Sequence, residues 1–305
     1  MKETVLVTGG AGYVGSVLCK YLLDQEYEVV CLDSLVKGDG DSLLSIVNHP
    51  NFTFVNMDIN SNNIKCVLDE VDSVIHLAGL VGAPKCSKFE RLSYITNVEG
   101  TNNIVSNLTG QRLVYASTGS VYGKIEDICT EDTPLNPQSE YGIHKNIAES
   151  MAKFYKNSVS FRFATGCGVS PCMRVNLLVN NLVYDAVHNK SITLFESHAK
   201  RTFISVYDMS RALTFGLKAG FKHKVYNCGD EHLNLSKRDI AEKIKEHLNC
   251  AIFYGDHMKD PDSRDYEVSY QRLKDEGFTC VKTIDDIIKE LIPAVKLLNV
   301  EGRYA

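Results

Sequence analysis

No run in these 305 residues is long and apolar enough to suggest a membrane span, and there is no CxxC pair, internal repeat, low-complexity tract or block of like charge. Each absence removes a class of function. The ten cysteines stand singly, at 19, 31, 66, 86, 129, 167, 172, 228, 250 and 280, without nearby histidine pairs, which argues against a zinc site or a disulfide framework. Most lie in apolar runs such as VVCLD and are expected to be reduced thiols that pack as small hydrophobes. Lysine and arginine are scattered. A formal net charge of -5 and a pI near 6.0 give no electrostatic footprint for nucleic acid or an anionic membrane, so neither is expected as a partner. The opening MKETVLVTGG has too short an apolar run for a signal peptide and no small-residue cleavage site, so a cytoplasmic protein is expected.

What the chain does have is 44% hydrophobic residues, enough for a substantial core, in a regular arrangement. Short β-branched runs (TVLVTG, YEVVCLD, NFTFVNMD, SVIHLAG, RLVYAST and VSFRFAT) alternate with helix-length segments such as Tyr13 to Gln25. Continuous apolar runs of this kind, each followed by a helix, predict a parallel sheet covered on both faces, which is a Rossmann-type, doubly wound α/β fold. Past about residue 166 the alternation becomes irregular. There SPCMRVNLLVNNLVYDAVHN reads as a helix, ITLFE as a strand, Val206 to Lys218 as a helix, KVYNCG as a strand, and Leu235 to Val300 as two further helices. The expected division is a cofactor domain over 1–165 and a smaller C-terminal α/β substrate lobe over 166–305, with about 203–220 returning to the first domain.

The first strand runs straight into Thr8-Gly9-Gly10-Ala11-Gly12-Tyr13-Val14-Gly15 and then a helix. Glycines there permit a tight turn and close approach of the backbone to a pyrophosphate, and free N–H groups at the helix start bind its charge. The spacing departs from GxGxxG, since the glycines that count are 9, 12 and 15; a turn that merely reverses the chain is the alternative. Asp33 ends the second strand, where a carboxylate accepts from adenine-ribose hydroxyls and repels a 2′-phosphate. NAD is therefore expected rather than NADP, with Lys37 softening the preference. In SEYGIHKN, residues 139–146, the phenol of Tyr141 and the ammonium of Lys145 stand on one helical face, a pairing that alone is common in solvated helices.

A GxxGxxG turn, Asp33, Met57-Asp58-Ile59, His76-Leu77-Ala78-Gly79 and YxxxK at 141–145, in this order over essentially the whole chain, resemble the extended short-chain dehydrogenase/reductases. Within them, ASTGSVYG at 116–123 is similar to the SSxxVYG segment of nucleotide-sugar 4-epimerases, and RTFISV at 201–206 to their RDxIHV. SPCMRVNLLVNNLVYDAV and DPDSRDYEVS resemble a bacterial subgroup acting on nucleotide sugars for capsule and lipopolysaccharide, including GDP-heptose 4-dehydrogenase/epimerase-like enzymes. The resemblance implies an NAD-dependent enzyme acting on a nucleotide-diphosphate sugar, with Tyr141, Lys145 and Thr118 as catalytic residues. It implies cofactor contacts from Gly9, Gly12, Tyr13, Val14 and Gly15, and from Asp33, Asp58 and Ile59. Further cofactor contacts are implied for Leu77, Ala78, Gly79, Asn97 and Ser117, beside Tyr141 and Lys145. For substrate it implies Thr118 and Tyr141 on the sugar and Arg201 on the diphosphate; guanidinium chemistry makes Arg174 and Arg264 further candidates for the two phosphates, and Asn180 is a candidate substrate ligand.

Plain alternatives stand beside these. Thr118 serves equally as a strand-end cap, Asn97 as a polar residue facing water, and Arg174 and Arg264 as surface ion-pair residues. His76 and His144 are read as non-catalytic. Gly119 stands where 4,6-dehydratases and decarboxylases carry an acidic residue, which argues against 4,6-dehydration, and Thr165 stands where many epimerases have a substrate-binding Asn. Oxidation of a sugar alcohol needs a base close to the hydroxyl, and a neighbouring ammonium together with an oxidised nicotinamide favours the phenolate of Tyr141. The leading expectation is a 4-epimerase acting through a transient 4-keto sugar, in surface-polysaccharide or sugar-nucleotide metabolism. A net 4-dehydrogenase or 4-keto reductase is the alternative, followed by an NAD-binding regulatory protein without turnover. By the same resemblance, helices around Leu92 to Leu108 and Gly142 to Tyr155 imply a homodimer.

Overall fold

The computed structural model describes residues 2–36, 38–125, 127–255 and 266–298. Seven strands form the main sheet: β1 (Thr4–Thr8), β2 (Glu28–Asp33), β3 (Phe52–Asn56), β4 (Ser73–His76), β5 (Arg112–Thr118), β6 (Ser158–Phe163) and, after three strands outside it, β10 (Val225–Cys228). All pair in parallel, in the order β3-β2-β1-β4-β5-β6-β10. The six apolar runs of the first half became strands because both faces are covered. Val5 and Val7 face one apolar cluster, with Leu18, Leu22, Ala212 and Leu213, while Leu6 between them faces another, with Ile104, Ala148 and Ala152. Strand order reverses between β1 and β4, which opens a crevice at their carboxyl ends.

The three intervening strands are β7 (Thr165–Cys167), β8 (Ser191–Phe195) and β9 (Lys200–Ser205). With β11 (Asn234–Ser236) and β12 (Ala251–Gly255) they make two small sheets, β11-β9-β7 and β12-β8. Helices Leu178–His188, Lys237–His247 and Ile284–Lys296 enclose a third apolar cluster that includes Leu182, Ile240 and Ile287. Between these elements the chain comes back to the main sheet: helix Val206–Phe215 packs on helix Tyr13–Asp24, with Tyr207 edge-on to Tyr21 at 5.7 Å, and β10 closes the sheet.

Some expected elements differ. The segment 170–189 is helical only over Leu178–His188, because the residues before it are tied down by Ser170, which donates to the Tyr13 carbonyl at 2.6 Å, and by Asn180, which donates to the Arg174 carbonyl at 3.0 Å. The path from Glu90 to Asn107 widens into a π-helical turn at Ile95–Glu99. The tail carries three described helices rather than two, the extra one being the short Gln271–Asp275. Among the described residues no helix is long and apolar enough to cross a membrane, and no group of His, Cys, Asp and Glu could hold a metal ion. All ten cysteines are free thiols, most of them buried.

One charge pair lies inside this framework. Arg162, in the fully buried β6, meets Glu149 of helix Glu140–Phe154 with both nitrogens, at 2.7 and 3.0 Å. Glu149 also accepts from the Ser117 hydroxyl on β5 at 2.5 Å. Removing one partner strands the other charge in the core, so Arg162→Met should cost about 3–5 kcal/mol in urea unfolding. The double variant Glu149→Leu/Arg162→Met should recover a large part of that loss.

Candidate active site

The first turn is built by glycines with separate duties. Gly9 has φ of +72°, and a Cβ on it would lie 2.8 Å from the Cα and N of Ala78 in the loop after β4. A Cβ on Gly15 would lie 2.2 Å from the Gly9 carbonyl oxygen, so the helix start can sit on the turn only without one. Gly12 caps the helix in an extended conformation, with no side-chain cap and no acidic residue in the first turn. The first N–H groups of Tyr13, Val14 and Gly15 are thus available to an anion at the crevice. Gly10, which the spacing passed over, faces the Cys31 thiol, 2.4 Å from where its Cβ would stand.

Asp33, half-buried at the end of β2, closes the same turn, accepting from Ala11 N–H at 3.0 Å and Leu35 N–H at 2.9 Å. Its carboxylate is fixed there as an acceptor, which suits ribose hydroxyls. Asp58, exposed at the rim, accepts from Asn60 N–H at 2.8 Å, and Ile59 packs beneath Gly100. This cradle of close backbone, helix start and fixed carboxylate fits a dinucleotide with an unphosphorylated ribose. Lys37 lies outside the described residues.

Behind β4 the backbone is organised by buried side chains. Thr8 accepts from Leu77 and Ala78 N–H, both at 3.2 Å, and its hydroxyl proton goes to His76 Nδ1 at 2.7 Å. Thr101 donates to the Asn97 carbonyl and receives His76 Nε2–H at 3.0 Å. That network requires the neutral ring, and burial, with Lys145 adding to it, pulls His76 down to about 3. Asn97 is buried, not turned to water: its amide brackets Leu80, accepting from N–H at 2.8 Å and donating to the carbonyl at 2.9 Å. Gly79 lies against it, 2.8 Å from Asn97 Oδ1 to a Cβ.

Thr118 ends β5, and Tyr141 and Lys145 lie on successive turns of helix Glu140–Phe154. Ser139 caps this helix by accepting from Gly142 N–H at 3.2 Å, and a Cβ on Gly142 would approach the Ser120 carbonyl to 2.8 Å. The turn that carries Tyr141 is therefore pressed against the turn that follows Thr118. The Thr118 hydroxyl caps that turn, accepting from Ser120 N–H and donating to Ser120 Oγ, both at 3.2 Å. Lys145 is buried with its Nζ 4.1 Å from the centre of the Tyr115 ring. Burial brings its ammonium down to about 7, with Glu149, one turn further on, and Cys86 opposing the shift. His144 points elsewhere, to Ser93 at 2.8 Å and edge-on to Tyr94.

The substrate-side candidates divide. Arg174 is half-buried and has Tyr141 and Tyr13 as electrostatic neighbours; burial lowers its proton affinity and the two phenols oppose that. Arg201 is buried on β9. Asn180 is fully enclosed and spends its amide within the protein, accepting from Gly168 N–H at 2.9 Å and donating to the Arg174 carbonyl and the Tyr13 hydroxyl. Tyr13 in turn donates to the Gly168 carbonyl at 2.7 Å. Ser117 turns its hydroxyl to Glu149, away from the crevice mouth. Arg264 lies outside the described residues. The Glu149–Arg162 pair was missed, although an arginine inside the apolar run VSFRF was its signal.

Over 253 residues the chain is 30% identical to the low-salt glycan biosynthesis protein Agl12 of Haloferax volcanii, spanning 79% of this chain and 81% of that one. It is 30% identical over 258 residues to a Bacillus subtilis protein named uncharacterized UDP-glucose epimerase YtcB, spanning 79% of each. Among solved structures, dTDP-glucose 4,6-dehydratase of Bacillus anthracis in complex with NAD is similar at 26% identity and a TM-score of 0.84, with 96% of each chain covered. The model of the NAD dependent epimerase/dehydratase family matches residues 5–229, from β1 to just past β10. With the cradle, the order of motifs and this match agreeing, the chain belongs to the NAD dependent epimerase/dehydratase family, an extended short-chain dehydrogenase/reductase lineage of nucleotide-sugar enzymes whose cofactor is NAD.

Proposed function

We propose that the chain is a nucleotide-sugar 4-epimerase working through a transient 4-keto sugar. The observation that carries this is Gly119. Where elimination needs a carboxyl group next to Thr118, there is no side chain, and a Cβ would already come to 3.2 Å of the Tyr266 hydroxyl. Residues suited to oxidising C4 are present without an acid to expel water across C5 and C6, which favours return of hydride to the ketone over elimination. Bound NAD supplies a hydride acceptor and donor. Tyr141 takes the O4 proton as the C4 hydrogen leaves as hydride, and returns it after the sugar has presented its other face. Thr118 holds O4 near the phenol, the Lys145 ammonium favours the phenolate and binds the nicotinamide ribose, and Arg201 takes the diphosphate. The UDP-glucose epimerase name of the Bacillus subtilis relative supports the same substrate class. Incubation with UDP, GDP, dTDP and CDP sugars, followed by NMR, tests it; no C4 inversion of any of them refutes the reading.

The exposed apolar side chains Leu92, Ile143 and Ile147, on helices Glu90–Tyr94 and Glu140–Phe154, we assign to contact with a second copy. Light scattering should give a dimer at micromolar concentration, and Ile147→Glu a monomer. Tyr141→Phe should lower turnover by roughly 10²–10⁴ while leaving NAD retention through gel filtration unchanged.

The lysine predicts a pH effect of definite sign. Between about 7 and its ordinary 10.5, Lys145 binds fewer protons in the folded chain than in the unfolded one. Its burial therefore destabilises fully below pH 7, and the cost fades as pH rises through that window. Lys145→Met should be more resistant to urea than the unaltered protein at pH 6, with the difference closing toward pH 10.5.

A further inference from the structure

The Lys145 ammonium rests on an aromatic wall. It is buried and makes no hydrogen bond or ion pair among the described residues; what it meets is the Tyr115 ring, with Nζ 4.1 Å from the ring centre. The ring is itself fixed. Tyr115 lies on β5, in register with His76 of β4 on one side and Ser160 of β6 on the other, and is 1% exposed. Leu6, Ile104, Leu113 and Ala148 belong to the same apolar cluster, and the His76 ring lies 5.8 Å away at a tilt of 38°. The Tyr115 hydroxyl, with Thr101 nearby, makes no hydrogen bond of ordinary geometry, so the residue offers the lysine a ring face. That face carries the negative lobe of the ring quadrupole, which attracts a cation most where water is excluded.

The other titratable and charged groups around Lys145 leave it no carboxylate of its own. Glu149, one turn further along the helix, is already paired with Arg162 of β6. Cys86 of helix Ala83–Lys88 has its thiol pushed up by burial, His76 is neutral, and Tyr141 stands one turn before the lysine. We propose that Tyr115 is a positioning residue for the reaction, its ring face holding the Lys145 ammonium charged and in one place to act on the Tyr141 phenol and the nicotinamide ribose. The inference rests on the reading that Lys145 supports Tyr141 in oxidising the sugar. Without the ring, the ammonium keeps the cost of burial and loses the attraction that offsets it, so it gives up its proton at lower pH. Tyr141, with less positive charge beside it, then ionises at higher pH. The pH range in which phenolate and ammonium coexist narrows from both sides.

The test compares the unaltered enzyme with Tyr115→Leu and Tyr115→Phe in two measurements. The first is kcat and KM for C4 inversion against pH, on the nucleotide sugar that the NMR survey identifies. Tyr115→Leu should lower kcat by about tenfold with KM little changed, and both limbs of its pH profile should move inward by about one pH unit. Tyr115→Phe, which keeps the ring, should recover most of the rate and both limbs. The second needs no substrate: in chain made with isotope-labelled lysine, the Lys145 Cε–H resonances are assigned by their loss in Lys145→Met. The ring should shift them upfield in the unaltered chain and in Tyr115→Phe, and they should return to the ordinary lysine position in Tyr115→Leu. Unchanged kcat and limbs in Tyr115→Leu overturn the inference and leave the 4-epimerase reading standing. A loss in Tyr115→Phe as deep as in Tyr115→Leu overturns it in favour of the hydroxyl. Where Tyr115→Leu does not fold, ordinary lysine shifts in either of the other two chains overturn the inference, and ring-shifted resonances in both uphold it. If no sugar is inverted, the 4-epimerase reading falls, while ring-shifted resonances still uphold the contact and unshifted ones overturn it.

Discussion

Glu149 holds helix Glu140–Phe154 at one rotation about its axis. Its carboxylate takes two nitrogens of Arg162 from β6 and the hydroxyl of Ser117 from β5, so the helix is tied to two adjacent strands of the main sheet at once. Tyr141 and Lys145 precede Glu149 at eight and four residues, on the same face. A shift of the helix by one residue would turn that face by about 100°. The cost of burying a carboxylate is met by bidentate geometry and a third hydrogen bond, the condition under which such pairs are tolerated.

At the other end of the helix the constraint is steric. Gly142 against the Ser120 carbonyl brings two backbones together, and Gly9 against Ala78 does the same across the crevice. Between these contacts lie the carboxyl ends of β1, β4 and β5, where the buried Thr8, His76 and Thr101 spend their polar atoms on one another and on the loop after β4. Two enclosed cations, Lys145 and Arg174, differ in character. Lys145 sits under the helix on the Tyr115 ring, where burial has moved its ammonium close to neutrality. Arg174 is half-buried on the loop before helix Leu178–His188, and a guanidinium keeps its charge over the whole working range.

Much of this was legible in the chain. The six apolar runs of the first half are the first six strands, because strands buried on both faces need unbroken apolar sequence. Gly9, Gly12, Gly15 and Asp33 marked a tight turn between strand and helix, and the structure gives each a separate physical reason. Other residues were visible only as types. Asn180, a candidate substrate ligand by sequence, spends its amide on the Arg174 loop, Gly168 and the Tyr13 hydroxyl; Ser117, a candidate cofactor contact, directs its hydroxyl to Glu149. The apolar periodicity before Leu178 suggested a longer helix, which hydrogen bonds to Tyr13 and from Asn180 replace with an irregular loop.

The sequence by itself determined the sheet and the location of its first glycine turn, because side-chain period, glycine spacing and chain direction are local properties. Only tertiary structure decided that Lys145 is buried and that Arg162 is neutralised. Those facts depend on which distant groups meet, as when the Tyr13 hydroxyl reaches the Gly168 carbonyl 155 residues away. Desolvation and pairing are set by such neighbours, and no short stretch of chain contains them.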